Sequence, residues 1–184
     1  MDAAKIVSKI SKEHGIIKNV YFLACGGSLV DLYPGYYFVR AESAVMDAQW
    51  IPAREFALTP PKKLGKDSLL IICSHSGKTK ECLEAAKVGM DAGAAVVTMT
   101  HAPGSPCDCE EWISVVYDWA PGVKEAQKPQ GIVLDILNEL MKAQEPGYTL
   151  YNSIKEGFEK IDDIIAEAVK KTAELSMAFC RKIL

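Results

Sequence analysis

Three hydroxyl side chains and a tight turn lie between an apolar segment and a helix in the middle of the chain. Ser74, Ser76 and Thr79 follow the apolar residues 69–73, and a helix is predicted over Lys80–Ala92. The N–H groups at the start of a helix carry partial positive charge and attract anions. Hydroxyl groups beside them donate further hydrogen bonds, so the segment predicts a site for the phosphate group of a small molecule. The other turn residues expected at this site are His75, Gly77 and Lys78.

Two other interpretations of this segment need weighing. Gly77-Lys78-Thr79 also occurs in nucleotide-binding P-loops, which require a glycine five residues before the Gly-Lys pair. Ile72 occupies that position inside the apolar segment, so the loop is too short to wrap a nucleotide phosphate. A serine or threonine ahead of a helix also serves as an N-cap without any ligand. From this segment alone, the capping interpretation stays open.

A second strand-to-helix turn supports the phosphate interpretation. The apolar residues Val20–Ala24 run into Gly26 and Gly27, and Ser28 places another hydroxyl at a predicted helix start. Glycine permits positive φ and close approach of the backbone to a ligand. The loops that follow parallel strands gather at one edge of the sheet, where ligands bind. We therefore expect the two turns to face the same anion.

The fold follows from alternating elements. Strands are predicted at residues 20–24, 44–49, 68–73, 94–99 and 113–117, and helices at 2–14, 29–42, 53–58, 80–92 and 131–143. Strands joined by helices pair in parallel through right-handed crossovers. The sequence thus predicts an α/β fold, a three-layer αβα sandwich with a five-stranded parallel sheet.

The motifs resemble those of the sugar isomerase (SIS) domain, the phosphosugar-binding module of glucosamine-6-phosphate synthases and related enzymes. The resemblance covers about residues 18–142 and is carried by Cys-Gly-Gly-Ser at 25–28, Glu55-Phe56, Ser-His-Ser-Gly-Lys-Thr at 74–79, Ala-Gly-Ala at 92–94 and Pro-Gly-Ser-Pro at 103–106. It implies a flavodoxin-like sheet. Lys78 stands where the synthases carry glutamate, which is more similar to the fructosamine-6-phosphate deglycase branch.

The resemblance also implies a chemistry. The expected ligand is a sugar phosphate, such as a hexose 6-phosphate or its amine adduct. The expected activity is aldose–ketose isomerisation or deglycation, by proton transfer through an enediol or enolamine. That chemistry needs no metal or organic cofactor. The alternative is a non-catalytic SIS domain that senses a sugar phosphate.

Candidate acid–base groups follow the last two strands. SIS isomerases use a glutamate as base in the region that corresponds to residues 121–128, and Glu125 is the nearest match by position. Glu125 can equally be a first-turn glutamate favoured by the helix dipole. His101 follows the strand at 94–99 and is a candidate acid or base for ring opening, or simply a polar loop residue.

Composition excludes several other classes of function. The chain has 184 residues, a formal net charge of −3 and no basic run, which argues against a nucleic-acid partner or an anionic membrane surface. No apolar stretch reaches membrane-spanning length and no signal-peptide pattern is present, so a soluble cytoplasmic protein is expected. The six cysteines lack zinc-site spacing, and no metal site is predicted.

The tail is predicted to be a long helix. Apolar residues recur at 151, 154, 158, 161, 165 and 169, a stripe that would pack on the core or form a dimer seam. We assign residues 1–145 to the SIS domain and 146–184 to this helical segment. The chain resembles the amino-terminal half of a double-SIS protein. A third role for the segment is therefore a link to an absent second domain. The resemblance also implies a homo-oligomer that completes its site between copies of the chain.

Overall fold

A computed structural model describes the backbone of residues 2–183 and the side chains of residues 2–179. The strands are β1 (Asn19–Ala24), β2 (Asp47–Pro52), β3 (Ser68–Cys73), β4 (Ala95–Thr100) and β5 (Ile113–Val116). The helices are α1 (Ala3–His14), α2 (Gly27–Asp31), α3 (Tyr33–Glu42), α4 (Ala53–Leu58), α5 (Lys80–Asp91), α6 (Pro129–Gln144) and α7 (Tyr151–Ile183), with a 3₁₀ turn at Glu125–Gln127. All strand pairs are parallel, in the order β2-β1-β3-β4-β5. The predicted fold class and the long carboxyl-terminal helix are confirmed.

Helices cover both faces of the sheet. Successive residues of a strand point to opposite faces, and in β3 Ile71 and Cys73 face one apolar cluster while Leu70 and Ile72 face the other. The first cluster includes α1, α3 and α6, and the second includes α4 and α5. Every residue of β1, β3 and β4 is buried. Continuous apolar runs are what a parallel sheet covered on both faces requires.

The two ends of the sandwich domain are joined on the first face. α1 packs against α6 and buries Ile6 and Ile10 completely. Between α1 and β1, Ile17 donates its N–H to the Gln144 side-chain oxygen at 3.0 Å, and the Gln144 amide donates back to the Ile17 carbonyl at 2.9 Å. One side chain at the end of α6 therefore satisfies the backbone of a buried residue 127 positions earlier.

Two sequence predictions are wrong in detail. The helix predicted over 29–42 is divided into α2 and α3, because Pro34 has no N–H to continue the hydrogen-bond ladder and instead occupies the first turn of α3. The strand predicted at 44–49 lies at Asp47–Pro52. The buried Glu145 carboxylate accepts hydrogen bonds from Ser43 Oγ and from the Ala44 N–H, which holds this segment in a turn.

α7 packs on the domain only by its first turns. It contacts α6 and the 3₁₀ turn, and Lys155 forms ion pairs with Asp135 and Glu139 of α6. From residue 163 to residue 179 every side chain is exposed. Within residues 2–183, the structure contains no helix with the length and apolarity of a membrane span.

Candidate functional site

The two turns predicted to bind phosphate meet at the carboxyl edge of the sheet. β1 and β3 are neighbours, and Ala24 at the end of β1 pairs with Cys73 at the end of β3. The chain leaves β1 toward the first face and β3 toward the second, so the order of the strands reverses here. Such a switch point is where open α/β sheets bind ligands. The expected juxtaposition of the turns is confirmed.

The turn after β3 presents hydroxyls at the start of α5. Thr79 is the N-cap of α5, and the Gly77 N–H donates to the Ser74 carbonyl at 2.9 Å to close the turn. Ser74 is only 2% exposed and its hydroxyl donates to Thr79 Oγ1 at 2.9 Å. Ser76 is exposed and accepts the Lys78 N–H at 3.3 Å. Ser74 thus holds the turn, while the Ser76 and Thr79 hydroxyl hydrogens remain available to an anion beside the N–H groups of the first turn of α5.

The turn after β1 is shorter and closes on a glycine. Gly26 adopts φ 60° and is the N-cap of α2, whose first turn carries Gly27 and Ser28. Cys73 lies at the end of the neighbouring strand β3. Burial raises the pKa of its thiol to about 12, although hydrogen bonds with Tyr117 and Ser28 act to lower that pKa. The thiol therefore stays neutral and acts as an apolar residue, while Ser28 adds a half-buried hydroxyl to the site.

Gly77 fits a space that no other residue can occupy. Its φ is +64°, and a Cβ at this position would lie 1.8 Å from Ser105 Oγ and 2.8 Å from Thr100 Oγ1. The Gly77 carbonyl accepts the Cys107 N–H at 3.0 Å. Residues 74–79, called the phosphate turn after the ligand predicted from the sequence, are therefore fixed directly against the loop between β4 and β5. Ser105 Oγ is buried there and has no hydrogen-bond partner among the described residues.

An aromatic and histidine cluster adjoins this turn. His75 stacks on His101 with ring centroids 5.0 Å apart and an interplanar angle of 16°, and its Nδ1 lies 3.1 Å from the Tyr117 hydroxyl. His101 Nδ1 lies 3.1 Å from the Tyr117 carbonyl, which only accepts, so this nitrogen carries a hydrogen. Burial raises the pKa of Tyr117, which keeps its hydroxyl protonated. The exposed Trp119 meets His75 edge-on at 5.7 Å.

Sequence reasoning placed the two histidines at this edge but missed their partners. Tyr117 and Trp119 directly follow β5, and the carboxyl ends of parallel strands share one edge. That position was the signal that could have found them. Asp31 was also missed: it ends α2 and accepts the Gln130 side-chain amide at 2.8 Å. Burial raises the pKa of Asp31, and the charge of His75 opposes the effect.

Removing the Asp31 charge is expected to stabilise the protein at high pH. Because burial raises its pKa, the contribution of Asp31 to stability is complete below the ordinary carboxyl pKa and is lost as the pH rises through the raised value. Asp31→Asn should therefore melt at a higher temperature than the wild type at about pH 8 and at a similar temperature at about pH 4. Thermal melts at both pH values measure this. A variant that melts at a lower temperature than the wild type at the higher pH would contradict it.

Glu125 joins the cluster indirectly. It begins the 3₁₀ turn, its carboxylate pairs with Lys128, and its N–H donates to Asp162 of α7 at 2.9 Å. The Lys128 ammonium lies 5.9 Å from the centre of the Trp119 ring. Among the described residues Glu125 forms no hydrogen bond with the phosphate turn.

A groove separates the Glu125 segment from the end of β5. Its volume is about 430 Å³, and its lining includes Tyr117, Asp118, Ala126, Gln127 and Ile132. Within the described part of the chain, no three His, Cys, Asp or Glu side chains are grouped so as to hold a metal ion. The groups gathered at this edge of the sheet are hydroxyls, two histidines and a carboxylate.

Known proteins share this architecture. Fructosamine deglycase FrlB of Bacillus subtilis (strain 168) is 32% identical over 165 residues, which are 90% of this chain and 50% of that protein. A Salmonella typhimurium LT2 protein assigned by its name to the phosphosugar isomerases superposes with a TM-score of 0.88 at 31% identity, over 97% of this chain and 53% of the other. The chain has the fold of a SIS domain. The resemblance drawn from its sequence motifs is confirmed.

A second solved structure extends the comparison. A Bacillus subtilis protein, also assigned by its name to the phosphosugar isomerases, gives a TM-score of 0.84 at 30% identity over 94% of this chain and 54% of the other. No protein-family model matches the chain. The chain spans about half the length of the relatives it matches, so it is similar to one half of a double-SIS protein.

Proposed function

We propose that this SIS domain binds a sugar phosphate and moves a proton between adjacent carbons of the sugar, as an isomerase or a fructosamine-6-phosphate deglycase. The observation that supports the proposal is the pair of available hydroxyls, Ser76 and Thr79, at the start of α5 and at the switch point of the sheet. A phosphate held there is bound by N–H and O–H donors without a buried cation.

The remaining groups would act on the carbon chain of the ligand. Glu125 would take a proton from the carbon next to a carbonyl or imine and return it to the neighbouring carbon. In the deglycation direction, a proton leaves carbon 1 of the ketosamine and is added at carbon 2, which produces an imine. Water hydrolyses the imine to an aldose phosphate and a free amine. The stacked pair of His75 and His101 would serve ring opening.

The name of the deglycase relative favours a fructosamine 6-phosphate over a simple hexose phosphate. That relative is 32% identical to this chain, and Lys78 independently resembles the deglycase branch. The second candidate is a sugar-phosphate sensor. It is favoured by one observation: the Glu125 carboxylate, the candidate base, already forms an ion pair with Lys128.

Ligand-dependent thermal stability tests the binding proposal. The panel contains fructose 6-phosphate, glucosamine 6-phosphate, a fructosamine 6-phosphate, the corresponding free sugars and inorganic phosphate. A ligand present at about one hundred times its Kd adds about 2.7 kcal/mol of stability and raises the melting temperature. Stabilisation by a sugar phosphate but not by its free sugar is the expected result. If none of the phosphorylated compounds stabilises the protein, the proposed site does not bind them.

Ser76→Ala is expected to weaken binding of the stabilising sugar phosphate at least about tenfold. The exposed hydroxyl donates to a charged group, and such a hydrogen bond contributes about 1.5–3 kcal/mol. Isothermal titration calorimetry measures the change. Ser8→Ala is the matched control, because Ser8 is an exposed serine on α1. Equal affinity in the wild type and Ser76→Ala would leave Ser76 as a residue of the helix-capping turn alone.

A further inference from the structure

The three tryptophans of the chain differ in how their indole groups are used. Trp112 is 9% exposed and donates its Nε1–H to the Cys107 carbonyl at 2.9 Å. Trp50 donates its Nε1–H to the Leu29 carbonyl at 2.7 Å. Trp119 is 44% exposed, and its Nε1–H meets no acceptor in the part of the chain whose side chains the structure describes. Trp119 thus presents both an aromatic ring and a hydrogen-bond donor to solvent.

The backbone that carries Trp119 is fixed at the carboxyl edge of the sheet. The preceding Tyr117 carbonyl accepts the His101 ring N–H at 3.1 Å. The Asp118 carboxylate accepts the N–H groups of Trp119 and Ala120 at 2.7 and 3.0 Å. An aromatic side chain on a backbone held in this way loses little conformational freedom when a ligand binds against it.

Trp119 lies between the phosphate turn and the candidate base. Its ring centre is 5.7 Å from that of His75, a member of the phosphate turn, and 5.9 Å from the Lys128 ammonium. Lys128 in turn pairs with Glu125. A ligand whose phosphate is bound by Ser76 therefore extends past Trp119 if its carbon chain reaches Glu125.

An indole group suits the carbon chain of a sugar. Its ring face carries partial negative charge and attracts the slightly positive hydrogens of C–H groups, while its N–H donates to a hydroxyl. A sugar phosphate has both kinds of group next to its phosphate. Inorganic phosphate has neither C–H groups nor a carbon chain, so the ring can favour the sugar phosphate without favouring the anion itself.

We propose that Trp119 binds the carbon chain of the sugar phosphate, with its ring against C–H groups and its N–H directed at a hydroxyl. Trp119 then discriminates sugar phosphates from inorganic phosphate. The two apolar clusters of the described core do not include this residue, so the core does not account for such a large ring at this position. The assignment rests on the proposed function, because it needs a phosphate at the phosphate turn.

The affinities of three variants for fructose 6-phosphate, a fructosamine 6-phosphate and inorganic phosphate test the assignment. Trp119→Ala should raise the Kd of both sugar phosphates at least about tenfold and that of inorganic phosphate less than about twofold. Trp119→Phe keeps a ring face without an N–H, so its Kd values should lie between those of the wild type and Trp119→Ala. Tyr37→Ala is the matched control, since it also removes an exposed aromatic ring, on α3, and should bind as the wild type does. Calorimetry measures the sugar phosphates directly and inorganic phosphate by competition.

Acrylamide quenching adds a measurement that a purely structural role would not change. Acrylamide quenches the fluorescence of exposed tryptophans by collision, and Trp119 is the most exposed of the three. Saturating sugar phosphate should protect the wild type from quenching, whereas saturating inorganic phosphate should not. In Trp119→Phe the remaining Trp50 and Trp112 should show no protection by either ligand.

Two results would overturn the assignment while the proposed function stands. In the first, Trp119→Ala binds the sugar phosphates as tightly as the wild type while Ser76→Ala binds them less tightly. In the second, Trp119→Ala loses affinity for inorganic phosphate as much as for the sugar phosphates, which would make Trp119 a support of the phosphate turn. Failure of the proposed function gives a different result: the wild type binds neither sugar phosphate, and the assignment falls with it.

Discussion

Gly77→Ala is expected to lower the free energy of unfolding by about 2–5 kcal/mol and to abolish binding of a sugar phosphate. Two effects add. The new side chain must adopt φ +64°, and its Cβ must displace Ser105, whose Oγ and Cβ would lie at 1.8 and 2.5 Å. Because the same movement separates the phosphate turn from the β4–β5 loop, stability and affinity should fall together. Urea denaturation and calorimetric titration measure the two losses.

Gly93→Ala separates the two effects. Gly93 has φ +78°, but no atom lies within 4 Å of a Cβ built there. This control should therefore lose only the conformational part, about 1–2 kcal/mol, and should bind ligand as the wild type does. In Gly77→Ala combined with Ser105→Gly, part of the stability should return because the two clashing Ser105 atoms are gone, although Thr100 Oγ1 stays 2.8 Å from the new Cβ. Equal losses in Gly77→Ala and Gly93→Ala would show that the contact with Ser105 is not restrictive.

Glu125→Gln is expected to lower kcat about 100- to 10,000-fold while the Kd for the sugar phosphate changes little. Glutamine keeps the shape and the hydrogen-bonding capacity of the side chain but does not accept a proton at working pH. In the proposed site Ser76 and Thr79 hold the phosphate from another loop, so affinity should survive. Turnover of a fructosamine 6-phosphate, followed as released aldose phosphate, measures kcat, and thermal shift measures binding.

Glu159→Gln is the control for this experiment, since Glu159 is an exposed carboxylate on α7 and should be neutral. A melting curve of Glu125→Gln checks that loss of the Lys128 ion pair has not unfolded the segment. Unchanged turnover would assign the base to another residue. A wild type that binds the sugar phosphate without any turnover would instead favour the sensor function.

The central strands and the phosphate turn were predictable because their signals are local. β1, β3 and β4 are buried on both faces, so each is a continuous apolar run, and the hydroxyls of the turn stand next to β3 in sequence. The edge strand β2 is largely exposed and lacks such a run. The apolar residues 44–46 have the composition of a strand and led to the prediction of one. They instead form a turn, because Glu145, about one hundred residues away in sequence, accepts the Ala44 N–H.

The partners of the histidines were not predictable from local patterns. Tyr117 contacts His75 across 42 residues, and Gln130 contacts Asp31 across 99. Only the assembled sheet edge brings these groups together. The position of Glu125 relative to the turn likewise depends on how the 3₁₀ turn sits on α6 and α7. Gly131 of α6 permits that contact, because a Cβ there would lie 2.4 Å from the Glu125 carbonyl.

The two hydrogen bonds between the Gln144 side chain and the Ile17 backbone have a consequence for synthesis on the ribosome. At 5–20 residues per second, the 127 residues between them take roughly 6–25 s to make. During that time α1 has emerged, but α6, against which Ile6 and Ile10 pack, has not. Helix α1 of the nascent chain therefore keeps its apolar face unburied, open to chaperones or to neighbouring chains, until α6 arrives.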